Sequence, residues 1–212
     1  MLAASGGFLD AFTYLGHGHV FANAMSGNVV LMATYAGTGD WRQALRHLPP
    51  ILAFLLGVAV AQIFQMVRVR SMLRNPAIAS LTAEMVFLLA AGWLPNNFPD
   101  LPLVLSISFL AALQSSAFRQ IGDYTYNSTM TTGNLRIFGE AAFRAVFRPD
   151  DPKASHRTKL FACVCGAFFG GALLGGLCTW QMKNKALWVV DLLLLGAWIP
   201  LLLAWRDART RD

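Results

Sequence analysis

Long apolar runs separated by short polar breaks make up most of the chain, and their lengths sort it into two kinds of segment. Runs at about Met1–Gly16, Leu48–Val67, Ala77–Leu94, Leu101–Phe118, Leu160–Gln181 and Ala186–Trp205 read as membrane-crossing helices. A crossing wants about 20 residues, and none of these runs has the strict alternation of a barrel strand. Two other segments fit a crossing poorly. From Ser26 to Tyr35 the chain is apolar for only about ten residues, ~15 Å of helix, before Gly37-Thr38-Gly39-Asp40 ends it. From Gly133 to Phe147 the run carries Arg136, Glu140 and Arg144, which a lipid-facing span does not tolerate cheaply. Each reads as a half-helix that enters and leaves on one side, or as a segment lying in the interface. The pattern predicts an all-α polytopic membrane protein of six transmembrane helices plus two short half-helices.

The two half-helices open on similar motifs, Met25-Ser26-Gly27-Asn28 and Thr131-Thr132-Gly133-Asn134. Gly27 and Gly133 lie 106 residues apart, Asp10 and Gln114 104, Trp93-Leu94-Pro95 and Trp198-Ile199-Pro200 105, and Gly57 and Gly166 109. Landmarks in the same order at nearly constant offset point to a diverged tandem duplication within a single membrane domain, 1–212. The first repeat is 1–95 and the second 101–205. A repeat of three crossings inserts upside down relative to its copy. With the loop Pro95–Asp100 outside, that arrangement places Arg68, Arg70, Arg74, Arg119, Arg148, Lys153, Arg157, Lys159, Arg206, Arg209 and Arg211 inside. Only Arg42, Arg46, Lys183 and Lys185 are then left outside. The excess of cytoplasmic Lys and Arg in membrane proteins favours inverted over parallel repeats.

Composition narrows the class. Of 212 residues 56% are hydrophobic and only 13% charged, with a mean hydropathy of +0.49. A soluble domain carries about 25% charged residues, so this chain cannot cover a water-facing surface. The net charge of +6 is spread over helix ends, which suits orientation in a bilayer and not nucleic-acid binding. Cys163, Cys165 and Cys178 share one apolar helix and read as small core residues, with neither a disulfide framework nor metal spacing.

Few residues offer chemistry. Asp10 stands among Phe8, Leu9, Ala11 and Phe12, where an ionisable group costs ~3 kcal/mol or more unless it meets protein, water or an ion. Glu84 and Asp191 occupy similar places in the last span of each repeat. All three are candidates for proton or ion coupling, and all three have a structural reading as helix-capping groups. The start of a half-helix exposes backbone N–H groups and a positive dipole end, where Gly admits a ligand and Ser, Thr or Asn adds hydrogen bonds. Asp10, Ser26, Gly27, Asn28, Gln114, Thr132, Gly133 and Asn134 are therefore the candidate substrate-binding residues. The alternative is that the motifs are ordinary helix caps, with Ser26 as a cap. His17 and His19 lack the company of a metal site, and Asn127-Ser128-Thr129 fits a glycosylation sequon. There is no nucleophile–base constellation and no phosphate loop, so neither an enzyme nor a cofactor is expected.

Gly7-Phe8-Leu9-Asp10-Ala11, Gly18, Phe21, Met25-Ser26-Gly27-Asn28, Gln114 and Thr131-Thr132-Gly133-Asn134-Leu135 together resemble the bacterial YoaK-like integral membrane proteins, over nearly the whole chain. Ser26 departs from the more usual Thr, and the chain begins only a few residues before Gly7. The resemblance implies a multi-pass bacterial inner-membrane protein and brings no activity with it. Two functions fit the residues: a transporter or permease of a small polar or anionic solute with its site between the repeats, or a membrane structural or assembly protein. In the second, the glycine-rich helix Gly166–Gly176 mediates association, including with another copy of the chain.

Overall fold

The structure, a computed structural model, describes residues 1–66, 75–121, 124–126, 131–148 and 151–209. Arg68, Arg70, Arg74, Arg211 and the sequon Asn127-Ser128-Thr129 lie outside the described residues. The elements in order are α1 (Leu2–Gly16), α2 (Met25–Gly37), α3 (Trp41–Arg46), α4 (Leu48–Gln65), α5 (Pro76–Ala91) and α6 (Asp100–Ala117). A two-residue hairpin β1 (Gln120–Ile121) and β2 (Tyr124–Thr125) follows, then α7 (Thr131–Phe147), α8 (Pro152–Met182), a 3₁₀ turn (Lys183–Ala186) and α9 (Leu187–Arg209). The hairpin pairs Gln120 with Thr125 and Ile121 with Tyr124, a small departure from the all-helical expectation.

Local chemistry sets several boundaries. Asp40 caps α3 through Gln43 N–H. Asn75 before Pro76 caps α5, and Asp151 before Pro152 caps α8, each accepting two backbone N–H bonds while proline starts the helix. The 31-residue α8 is longer than the Leu160–Gln181 span read from the sequence, because the Asp151-Pro152 cap starts it a further two turns back. Those turns carry Lys153, Arg157 and Lys159.

Among the described residues, three stretches are long and apolar enough to cross a membrane: Trp41–Phe64, Asp100–Ala117 and Pro152–Asp207. The last is divided by the 3₁₀ turn into α8 and α9, and α5 is a shorter apolar helix. Leucines on α4, α8 and α9, including Leu52, Leu55, Leu173, Leu177, Leu192 and Leu203, lie exposed on the outside, as a surface in contact with lipid tails requires. The core is formed by Phe8, Leu9 and Phe12 of α1 with Leu81 and Leu88 of α5, Ile107 of α6 and Val190 and Leu194 of α9.

The helices pair across the two halves of the sequence. α1 lies on α8, α4 on α6, α5 on α9, and α1 also touches α6 and α9. Several glycines allow close backbone approach. A Cβ on Gly171 would collide with the carbonyl of Ala4, and one on Gly57 with the carbonyl of Phe109. Ala4 and Phe109 are 105 residues apart. Gly166, which the sequence alignment had paired with Gly57, has nothing near its missing side chain, and neither has Gly170. Much of the small-residue face of α8 is thus used within the chain, by Gly171 and Gly175 against α1.

Directions follow from side-chain bonds. His17, at the end of α1, meets Asp100, at the start of α6, with Nδ1 2.8 Å from Oδ1, so α1 and α6 run antiparallel. Trp188 Nε1 donates to the Leu89 carbonyl (3.2 Å) and Trp198 Nε1 to Thr82 Oγ1 (2.9 Å), so α5 and α9 also run antiparallel. Trp93 packs on Trp188 with ring centroids 5.0 Å apart.

Candidate functional site

The chain leaves α1 through Gly18 and His19, which both take left-handed backbone angles (φ 80° and 57°) and turn it back on itself. The returning residues are then stitched to α1. Asp10 Oδ1 accepts N–H bonds from Asn23 (2.7 Å) and Ala24 (3.3 Å), Thr13 Oγ1 accepts one from Ala22 (3.2 Å), and Asn23 Nδ2 donates to the Gly6 carbonyl (3.1 Å). Asp10 and Gly6 precede His17 by seven and eleven residues, so α2 begins about 10–16 Å below the end of α1. α2 then returns toward that same end. His17, Arg42, Arg46 and Pro49 all line one cleft there, together with Asp100. The 13 residues of α2 are ~20 Å of helix, less than a membrane core.

Asn28 completes this first unit. Its side-chain amide mimics a backbone partner for Phe21, donating to the Phe21 carbonyl (2.7 Å) and accepting from Phe21 N–H (2.9 Å). His47 Nδ1, just before α4, is 3.3 Å from the same Asn28 oxygen. Ser26 is exposed and caps nothing; the N-cap position is Ala24, and the acceptor for the start of α2 comes from Asp10 on another helix. Gly27 lies against the ring of Phe21.

In the second half, α7 starts at Thr131, and Gly133 and Asn134 line a cleft of about 450 Å³ with Phe54 and Val58 of α4 and with Ser115 and Ser116 of α6. Arg119, Thr125, Tyr126 and Arg136 complete its polar wall. Burial raises the Tyr126 phenol above its ordinary pKa, so it stays a neutral O–H. Arg136 is held by Glu140 at 2.9 Å. Thr132 is exposed, Asn134 is buried, and Gln114 is 1% exposed with an Nε2 that has no partner among the described residues. Neither Ser26 nor Asn28 lines this cleft. α2 packs on α3 and α4, and α7 on α8, so the candidate binding residues fall into two separate groups.

Glu84 of α5 and Asp191 of α9 lie within electrostatic reach of one another in the core between the halves. Glu84 is 1% exposed; its Oε2 and both Asp191 oxygens have no hydrogen-bond partner among the described residues. No group of three or more metal-ligating side chains occurs among the described residues. Sequence reasoning overlooked Asn23, Thr13 and Arg119. Thr13 alone had a signal, since it follows Asp10 by three positions and so shares its helix face.

Residues 1–199 match the family described as "Protein of unknown function (DUF1275)". The chain belongs to that family. It is also similar to the UPF0700 transmembrane protein YoaK of Bacillus subtilis (strain 168), with 24% identity over 200 residues covering 92% of this chain and 89% of the relative. No solved structure matches it. A YoaK-like transmembrane protein is thus the family setting for the polar clusters described above.

Proposed function

We propose that this chain is a multi-pass cell-membrane permease, not an enzyme, for a small polar or anionic solute, built from two inverted repeats. The observation that carries the reading is the exchange of helix partners. If α1, α4 and α5 correspond to α6, α8 and α9, the pairing of α1 on α8 becomes that of α6 on α4. The pairing of α1 on α9 likewise becomes that of α6 on α5, and α5 on α9 maps onto itself. Equivalent helices that pack antiparallel, as α1 with α6 and α5 with α9 do, fit an axis lying in the membrane plane. That assignment makes α1, α4, α5, α6, α8 and α9 the six crossings, with α2 and α7 as half-helices returning on opposite sides.

Transport is supported by what the scaffold holds. Two helix starts lie within the helix layer, and two carboxyl groups with unsatisfied oxygens sit at the interface between repeats, where an isolated charge is expensive unless it is used. Asp10, Glu84 and Asp191 are the coupling candidates, and Gly133 and Asn134 the solute-contacting ones. The test is flux into proteoliposomes, assayed with labelled small anions and uncharged polar solutes. We expect transport of at least one solute above empty liposomes, reduced at least about tenfold by Asn134→Ala. Failure of every solute to move, in either direction, with protein that remains folded would refute it.

A structural or assembly role is favoured by one specific observation, the use of both Asp10 and Asn28 in bonds within the chain. On that reading, substitutions at these positions lower thermal stability and alter no flux.

A further inference from the structure

At the other end of the bundle from the α7 cleft, α3, α4 and α6 set a basic mouth over an apolar groove. α4 and α6 run side by side in the same direction. Pro49 and Asp100, near their starts, line one cleft of about 420 Å³, and Gly57 faces Phe109 further along. Arg42 and Arg46 of α3, one turn apart and both exposed, form the basic edge of that cleft. Neither makes an ion pair or a side-chain hydrogen bond among the described residues. Asp100, the acid in the same lining, is 2.8 Å from His17 Nδ1. Pro49 also borders a groove of about 640 Å³ between α4 and α6, lined by Leu52, Leu56, Leu105 and Phe109 with Phe87 of α5. From Pro49 to Leu56 is seven residues, about 10 Å of helix, against about 15 Å for one leaflet of a hydrocarbon core. Every lining residue of the cleft and the groove lies in the stretches 1–66 and 75–121, which are described without a break.

We propose that this site holds an anionic phospholipid, with its phosphate between Arg42 and Arg46 and one acyl chain in the groove between α4 and α6. Two features select that occupant. The guanidinium forks match the oxygens of a phosphate, and with no acid of the chain engaged they take their counter-charge from a headgroup. The apolar groove begins at the same cleft, so a ligand that fills both must join an anion to a hydrocarbon chain. A free phosphate leaves the groove empty, and a zwitterionic lipid sets a second positive charge beside the arginines. Trp41, next to Arg42 and 64% exposed, has the character of a residue at headgroup level. The site shares no residue with the Asp10, Glu84 and Asn134 clusters, and it stands whether or not the chain is a permease.

The probe is radiolabelled dioleoyl phosphatidylglycerol, measured by equilibrium gel filtration with the purified full chain in dodecyl maltoside micelles. Saturable binding is expected, at least about tenfold tighter than that of dioleoyl phosphatidylcholine, the equivalent of about 1.4 kcal/mol. Arg42→Gln combined with Arg46→Gln should remove that preference. Lys183→Gln combined with Lys185→Gln takes away the same charge at the same end of the bundle, where Gly16 adjoins Thr179, and should leave the preference unchanged. Ala53→Trp, which puts an indole into the groove, should weaken both lipids at least about tenfold. Equal affinity for the two lipids would overturn the proposal, as would an equal loss in the two double variants. So would displacement of the labelled lipid by glycerophosphoglycerol, the same headgroup without acyl chains, as strongly as by the lipid itself, since the site would then be one for a free phosphate ester. Because Arg42 and Arg46 are exposed, their double variant decides the question even if Ala53→Trp fails to fold.

Discussion

Substituting Asp10 separates a support from a charge carrier. Its Oδ1 is the acceptor for Asn23 N–H and Ala24 N–H, and the residue is 5% exposed. Asp10→Ala strands two donors away from water. Each orphaned buried donor costs about 1–3 kcal/mol, and since Ala24 is only half-buried the pair should lose about 3 kcal/mol. Opposing this, alanine no longer buries a carboxylate, but deleting one partner of a buried charged network is usually destabilising by about 3–5 kcal/mol even so. Asp10→Asn behaves differently. Its Oδ1 still accepts from Asn23, the desolvation cost of the charge disappears, and what is lost is the attraction between a carboxylate and the start of α2, about 0.3–1 kcal/mol. For a chain of this length about 1 kcal/mol moves the midpoint by about 2–4 °C. Thermal unfolding in detergent should therefore fall by about 6–12 °C for Asp10→Ala and by under about 4 °C for Asp10→Asn. Equal losses in the two variants, or none in Asp10→Ala, would refute the account of Asp10 as the acceptor that seats α2. If Asp10 also couples transport, Asp10→Asn keeps its stability and loses the dependence of flux on the driving ion.

Other perturbations test the scaffold. In a chain lacking Cys163, Cys165 and Cys178, single cysteines at Gln43 and Ser155 should react with impermeant thiol reagents from opposite sides of the membrane; labelling from the same side would exclude inverted repeats. Gly171→Leu, driven into the Ala4 carbonyl, should destabilise by about 3 kcal/mol or more in the same unfolding assay, whereas Gly166→Leu, with open space, should stay within about 0.5 kcal/mol. Glu84→Gln relieves a buried acid that has an unsatisfied oxygen and a second acid nearby, so it should raise the unfolding temperature. A fall would mean that the Glu84 carboxylate makes stabilising bonds.

Much of the helical layout was legible because apolar run length is a strong signal. What escaped the sequence were contacts made by backbone and by distant partners. Gly57 and Gly166 looked alike as glycines in apolar runs, but a Cβ on Gly57 would meet the carbonyl of Phe109 while one on Gly166 would meet open space. Ser26 had the composition of a helix cap, yet the start of α2 had already been supplied with an acceptor by Asp10, fourteen residues before Ala24. Local propensity is a weak guide where a buried charge competes for the same donors. Arg119 was read only as an orientation signal, since nothing in its neighbours marks it as cleft-lining until α6, β2 and α7 are placed together.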